Sequence, residues 1–257
     1  MKAAQGLQFT GIIPARYASS RLPGKPLCRI GDRTMIQMVY ERTLERLGTV
    51  YVATDDERIS DAVKEFGGKV VMTSPYHQSG TDRCAEAVKK IMNDEGLNLD
   101  IVINIQGDEP FIRHEQIDLL INCFSDPDVK IATLINKAES AEEIFNPNLP
   151  KVIVDNFMNA IYFSRAAIPY VRDIEKSNWH FKHTFYTHQG IYAYKWDTLG
   201  LITTLPRSSL EIAESLEQNR WLENGFKIRA AVSELKSISI DTPEDLEKAR
   251  NIFYDIK

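Results

Sequence analysis

Phe9-Thr10-Gly11-Ile12-Ile13, followed by Pro14-Ala15-Arg16-Tyr17-Ala18-Ser19-Ser20-Arg21-Leu22-Pro23-Gly24-Lys25-Pro26-Leu27, is the stretch on which the reading of this chain turns. The apolar Phe9-Ile13 segment reads as a strand, and the small, turn-forming residues behind it read as a connection. Val50-Ala53, Lys69-Met72 and Ile101-Ile105 repeat the strand pattern, with helical patterns between them. That rhythm predicts an α/β fold whose mostly parallel sheet carries helices on both faces, a three-layer, Rossmann-like arrangement.

The first of these helices carries its own punctuation. Asp55 or Asp56 is placed to cap it, Ile59, Ala62, Val63 and Phe66 share one face, and Gly67-Gly68 ends it. Further along, Ile131-Ile135, Lys151-Val154, Ala160-Phe163 and Ile191-Tyr194 read as strands, while the stretch from Pro169 to Lys182 is polar with several aromatics. We expect one domain over residues 1–257, with an inserted subdomain over about 136–195 where the alternation loosens. Toward the end, Leu210-Asn224 reads as a long amphipathic helix, and Lys227-Val232 and Ser237-Ile240 as strands. Thr242-Pro243-Glu244-Asp245 has the N-cap, first-turn proline and acidic residues of a helix start.

Composition bounds the function. The 257 residues are 43% hydrophobic, enough for a sizeable core, and the 31 basic and 36 acidic residues give a formal charge of −5. No Lys/Arg run marks a nucleic-acid partner, no apolar segment approaches the roughly 18 residues of a membrane span, and Met1-Gln8 lacks a secretory pattern. A cytoplasmic protein without membrane insertion is expected. Cys28, Cys84 and Cys123 are odd in number and lack CxxC spacing, so they read as buried free thiols. His180, His183 and His188 lack the spacing of a two-histidine metal helix and suit polar contacts to a sugar.

In an open α/β sheet, ligands collect beyond the carboxyl ends of the strands, which makes Pro14-Leu27 the first place to look. Arg16, Arg21 and Lys25, with Gly24 and the serines, suit a polyphosphate: cations neutralise its oxygens and small residues let backbone N–H groups approach. There is no GxGxxG, which disfavours a dinucleotide oxidoreductase, and Pro26 stands where a kinase-type loop needs Ser or Thr. Pro26 also predicts an extended backbone at Lys25. By charge and spacing alone, a solvated basic turn explains the loop equally well.

The strings Ile12-Ile13-Pro14-Ala15-Arg16 and Ser20-Arg21-Leu22-Pro23-Gly24-Lys25-Pro26-Leu27 resemble the amino-terminal motif of the cytidylyltransferases that activate 3-deoxy-manno-octulosonate (Kdo), the CMP-Kdo synthetases. Ala53-Thr54-Asp55-Asp56, Ser79-Gly80-Thr81-Asp82-Arg83, Asn104-Ile105-Gln106-Gly107-Asp108-Glu109-Pro110, Tyr162-Phe163-Ser164-Arg165 and Asp241-Thr242-Pro243-Glu244-Asp245 extend the likeness over essentially the whole chain. The resemblance implies a nucleotide-diphospho-sugar transferase fold with a smaller dimerisation and sugar-binding subdomain. It also implies a homodimer, and transfer of CMP from CTP to Kdo for lipopolysaccharide biosynthesis.

On that resemblance, Pro14, Ala15, Arg16, Arg21, Lys25, Ser79 and Gln106 bind CTP, the three cations gripping its phosphates. A triphosphate attacked at its α-phosphorus calls for Mg²⁺ and therefore for oxygen ligands at strand ends. Asp108 follows Ile101-Ile105 and Asp241 follows Ser237-Ile240, at positions where the family carries its magnesium aspartates. Locally, each has another explanation, Asp108 in a turn before Pro110 and Asp241 as part of a helix cap. Glu109 would point elsewhere on an extended backbone. The catalytic set is therefore Arg16, Arg21, Lys25, Asp108 and Asp241.

Kdo brings a carboxylate and many hydroxyls, which Arg165 could meet as a bidentate partner, although apart from the resemblance a surface arginine paired with Asp or Glu is the better explanation, as a charged helix face is for Glu217 and Gln218. The resemblance adds His188, Tyr192, Glu217 and Gln218, although Gln189 stands where the family often has Ile or Leu. Competing readings are a transferase for 8-amino-Kdo or sialic acid and a nucleotide-binding regulatory module without chemistry. The two candidate metal carboxylates argue against the module.

Overall fold

The computed structural model describes residues 6–19 and 21–255; Ser20 of the phosphate motif, and Met1-Gln5 of the amino-terminal segment expected to lack a leader, lie outside them. The elements run β1 (Phe9–Ala15), β2 (Arg29–Ile30), β3 (Arg33–Thr34), α1 (Met35–Leu47), β4 (Val50–Thr54), α2 (Glu57–Glu65), β5 (Val70–Met72), α3 (Gly80–Glu95) and β6 (Ile101–Asn104). They continue as α4 (His114–Cys123), β7 (Ile131–Lys137), α5 (Ala141–Phe145), β8 (Lys151–Val154), β9 (Ala160–Ser164) and α6 (Trp179–Lys182). After β10 (Tyr186–Lys195) come α7 (Trp196–Ile202), α8 (Ser209–Glu214), α9 (Gln218–Glu223), β11 (Arg229–Val232) and α10 (Pro243–Asp255).

Two compact units account for the chain: Gly6–Ile117 with Ser237–Lys257, and Asp118–Lys236. The segment 136–195 lies within the second. In the first unit, β6, β1, β4 and β5 pair in that order and all in parallel. Ile12, Ile13, Val50, Val52, Ile101 and Ile103 have no exposed surface, as expected of parallel strands covered on both faces, which is why these segments read as unbroken apolar runs. Helix α2 begins at Asp56, whose Oδ1 accepts from the Arg58 N–H at 3.0 Å, and stops where Gly67 takes a φ of 79°. Ile59 and Val63 are its buried stripe.

In the second unit, β11 and β7 are parallel, while β10 pairs antiparallel with β7 and β8, and β8 with β9. Strand β10 starts at Tyr186, five residues before the expected Ile191, because its polar first half pairs with Lys137, Asn136 and Ile135 of β7 and with Val152 and Lys151 of β8. Backbone pairing carries it where apolar pattern does not.

Three expectations are corrected. Ser237-Ile240 forms no strand; the segment is tied by Ile240 N–H donating to the Asp108 carbonyl at 3.0 Å. The helix expected over Leu210-Asn224 is two helices, α8 and α9, broken where Ser215 adopts a left-handed φ of 52°. Of the three thiols only Cys84 is buried, and Cys28 and Cys123 are half-buried.

Asn219, fully buried in α9, binds the edge of β9 as another strand would. Its Nδ2 donates to the Phe163 carbonyl at 2.9 Å and its Oδ1 accepts from the Phe163 N–H at 3.3 Å. Asn219→Ala strands two buried backbone groups and should cost about 2 to 4 kcal/mol. Urea unfolding of variant and parent would measure it.

Candidate active site

The loop that leaves β1 is organised around Gly24, whose φ of 68° few other residues tolerate and whose N–H donates to the Tyr17 carbonyl at 3.0 Å. Lys25–Leu27 then form one 3₁₀ turn rather than the extended backbone that Pro26 suggested. In a first turn the proline's missing N–H has no partner to lose, so the turn accepts it.

This turn aims Lys25 into a cleft of about 760 Å³. Every residue expected to bind CTP or metal lines it: Pro14, Ala15, Arg16, Arg21 and Lys25 from β1 and its loop, Ser79 at the start of α3, Gln106 and Asp108 after β6, and Asp241 before α10. The parallel neighbours β1 and β6 bring the loop and Asp108 to the same sheet edge, and the bond from Ile240 to the Asp108 carbonyl brings Asp241 beside them. Gly107 permits the approach, since a Cβ there would stand 3.1 Å from the Pro14 carbonyl oxygen.

Lys25 Nζ lies 2.6 Å from Asp108 Oδ2 and 3.0 Å from Asp241 Oδ1, and Arg21 Nη2 lies 3.2 Å from Asp241 Oδ2. Burial works against the Lys25 charge, yet Asp108 and Asp241 outweigh it and hold the ammonium above its usual range. Asp108 does stand in the turn before Pro110, with its side chain on Lys25, whereas the cap explanation of Asp241 does not hold. The cap of α10 is made by Thr242 and Asp245, Thr242 Oγ1 accepting from Asp245 N–H at 3.2 Å and Asp245 Oδ2 accepting from Thr242 N–H at 3.1 Å. The turn after β6 is closed by backbone, with Glu109 N–H donating to the Gln106 carbonyl. Both carboxylates are thereby left to face the cleft's cations. Glu109 turns into the interior, where burial and then the charge of Asp108 push its pKa up to about 7.

Sequence reasoning passed over two cleft residues. Buried Arg83 donates from Nη1 to Thr73 Oγ1 at 2.6 Å and pairs with Asp55 at 3.3 Å, which explains why Asp56 and not Asp55 caps α2. His77 lines the cleft with Nε2 against Glu86. Arg83 stands in a quoted motif, so its signal was visible; His77 has none.

Arg165, His188, Tyr192, Glu217 and Gln218 all belong to the second unit and do not line this cleft. His188 Nε2 meets Thr133 Oγ1 at 2.9 Å, and its ring packs against Phe163 at 5.0 Å and Tyr192 at 5.2 Å. Buried Tyr192 in turn stands edge-on to Trp221 at 5.2 Å. Gln189 faces away from His188, as alternate residues of a strand do, and its Nε2 donates to Asn136 and to the Leu235 carbonyl. The departure from the family's Ile or Leu is thus met by a buried amide pair. Glu217 Oε1 accepts from Arg220 Nη2 at 2.7 Å, and Gln218 is buried with Nε2 unpartnered. His180 and His183 pack on Phe181 and Phe185, and among the described residues no three His, Cys, Asp or Glu side chains cluster to hold a metal by themselves.

Residues 10–228 match the family model described as cytidylyltransferase. A 3-deoxy-manno-octulosonate cytidylyltransferase of Phocaeicola vulgatus is 55% identical over 95% of this chain and 96% of its own, and one of Thermodesulfovibrio yellowstonii is 49% identical over 93% and 95%. The solved structure of a CMP:2-keto-3-deoxy-manno-octonic acid synthetase complexed with CTP matches with a TM-score of 0.88 and 43% identity, covering 97% of this chain and all of that one. A glucose-1-phosphate thymidylyltransferase structure from Bacillus anthracis, 20% identical with a TM-score of 0.63 over 97% of this chain and 96% of that one, shares the fold alone.

Burial pushes the His188 imidazole pKa down to about 3. Unfolded, the group protonates near 6.5, so below that pH the unfolded chain binds the extra proton and stability falls as pH drops toward 3. Between pH 7 and pH 5 this amounts to about 2 kcal/mol, to be read as the difference in urea stability between parent and His188→Gln at each pH.

Proposed function

The chain belongs to the 3-deoxy-manno-octulosonate cytidylyltransferase family of cytidylyltransferases, and from that membership we propose that it transfers CMP from CTP to the anomeric 2-hydroxyl of Kdo, giving CMP-Kdo and diphosphate. The observation that carries this reading is the meeting of Arg21, Lys25, Asp108 and Asp241 in one cleft with Arg16, Ser79 and Gln106 around them.

In the reaction the sugar hydroxyl oxygen bonds to the α-phosphorus, the bond from that phosphorus to the β-phosphate's bridging oxygen breaks, and the hydroxyl proton is lost. Arg16, Arg21 and Lys25 hold the phosphates and offset the charge that gathers on the departing diphosphate. Alignment of the two substrates supplies much of the rest. No side chain is assigned as general base.

The donor set suits Mg²⁺. An oxygen of each aspartate lies within 3.0 Å of the one Lys25 nitrogen, so two hard anionic ligands converge on a single cation-sized position. Mg²⁺ commonly takes one or two carboxylates and completes its shell with water and substrate phosphate. Asp108 and Asp241 would hold it, and the chemistry it would supply there is charge withdrawal from phosphate oxygens and a lowered pKa of the attacking hydroxyl.

For the acid, Arg165 meets the carboxylate, and His188, Tyr192, Glu217 and Gln218 meet the hydroxyl-bearing body. No helix among the described residues is long and apolar enough to cross a membrane. We place the enzyme in the cytoplasm, where CTP is made, supplying lipopolysaccharide synthesis. Phe157 and Ile161, exposed in the second unit, support its covering by a second copy in a homodimer.

Diphosphate release from CTP and Kdo is the test. Asp108→Asn and Asp241→Asn should each lower turnover by about two orders of magnitude or more, and near-normal turnover in either removes it from the metal site. Arg165→Ala should raise KM for the acid and leave KM for CTP unchanged. A panel with UTP, 8-amino-Kdo and sialic acid reads out which pair is used; release from UTP as fast as from CTP, or from another acid faster than from Kdo, would overturn the assignment.

A further inference from the structure

Arg165 is held in place by main chain. Nε donates to the Glu214 carbonyl at 2.8 Å, Nη1 to the Pro147 carbonyl at 3.0 Å and Nη2 to the Ser215 carbonyl at 3.4 Å. A guanidinium has five N–H groups, so both terminal nitrogens keep a donor for a ligand. Among the described residues no carboxylate lies within ion-pair distance of it. Carbonyl dipoles fix its direction, and neither terminal nitrogen is closed off by an ion pair.

Glu214 acts at both ends of this arrangement. While its carbonyl receives the Arg165 side chain, its carboxylate receives Tyr162 Oη at 3.0 Å, Ser164 Oγ at 2.6 Å and the Arg165 backbone N–H at 2.9 Å. Burial opposes ionisation of Glu214, yet these bonds and the charge of Arg165 keep its pKa below the usual carboxylate range. The carboxylate therefore pins the end of β9 from which Arg165 departs. The same residue ends α8, where Ser215 turns left-handed and the chain re-enters a helix bearing Glu217 and Gln218.

Nearby, Lys151 is fully buried and donates from Nζ to the carbonyls of Asn146 and Leu149, each at 2.6 Å, on either side of the Pro147 carbonyl that Arg165 uses. Burial and the neighbouring Arg165 charge both lower the Lys151 pKa, and the two carbonyls hold its ammonium in place.

We propose that Glu214 is a positioning residue for recognition of the sugar acid: it anchors the end of β9 through its carboxylate and, through its carbonyl, directs the Arg165 guanidinium at the acid's carboxylate. This rests on the assignment of Arg165 as the acid's partner. Glu214→Gln keeps size and carbonyl but replaces one acceptor oxygen with a donor, so the strand end is no longer pinned.

The experiment is a double-mutant cycle on diphosphate release, with KM for Kdo and for CTP measured in parent, Glu214→Gln, Arg165→Ala and the double variant. Glu214→Gln should raise KM for Kdo about tenfold and KM for CTP less than about twofold, and in the Arg165→Ala background it should add less than about twofold. An equal increment in both backgrounds, or an equal rise in KM for CTP, overturns the positioning role. If Glu214→Gln fails to fold, Tyr162→Phe removes one anchoring bond and should raise KM for Kdo alone by about threefold, again only where Arg165 is present. Absence of release by the parent with every acid of the panel removes the functional reading and the positioning role together. Release by the parent with equal increments removes the positioning role alone.

Discussion

One ammonium group bridging two carboxylates is the constraint on which the cleft depends. Asp108 and Asp241 lie 83 and 216 residues from Lys25 in sequence, and without a cation between them their like charges would drive apart the two chain segments that carry them. Lys25 draws the segments together, Arg21 adds to the attraction at Asp241, and the backbone bond from Ile240 to Asp108 fixes the approach. The parallel pairing of β1 with β6 then determines that this happens at the sheet edge where the glycine-containing loop also stands.

What the sequence made legible follows from how far the governing interactions reach. Strands β1, β4 and β6 are covered on both faces, and their unbroken apolar runs announce it. Helix starts such as Asp56 and Thr242 are written within four residues of the bond they make. The amphipathic stripe of Leu210-Asn224 is real in the same local sense. It nonetheless breaks at Ser215, because the Glu214 and Ser215 carbonyls bond to Arg165, about fifty residues away, and no helical pattern records that demand. Likewise the polar first half of β10 is a strand by virtue of β7 and β8, which its own residues do not reveal.

The site shows the same division. Charge and turn chemistry identified Arg16, Arg21 and Lys25 as able to hold phosphates and could not separate that use from an exposed turn. Asp108 and Asp241 each had a sufficient local explanation; Asp108 keeps its place in the turn, while Thr242 and Asp245 take the cap from Asp241, and only the fold brings both side chains to Lys25. His77 stayed invisible because only the fold carries it to the cleft, while Arg83 and Asp55 were each visible in a motif but their pairing was not.

The two cationic centres are held by opposite means, and the difference suits the ligands proposed for them. Lys25 is held by carboxylates, so its charge is compensated, and under the proposed function a polyphosphate with a divalent ion would compete for it by engaging those carboxylates. Such a centre can exchange partners without leaving a bare charge at any stage, which fits a group that must grip a triphosphate and release diphosphate. Arg165 is held by carbonyl dipoles, which orient it but do not neutralise it. In the proposed role a single carboxylate would meet the guanidinium in a fixed direction, through the donors that the planar fork has left over. Exchanging the two devices would impair both: a carboxylate beside Arg165 would compete with the acid, and a carbonyl-held Lys25 would leave Asp108 and Asp241 to repel one another.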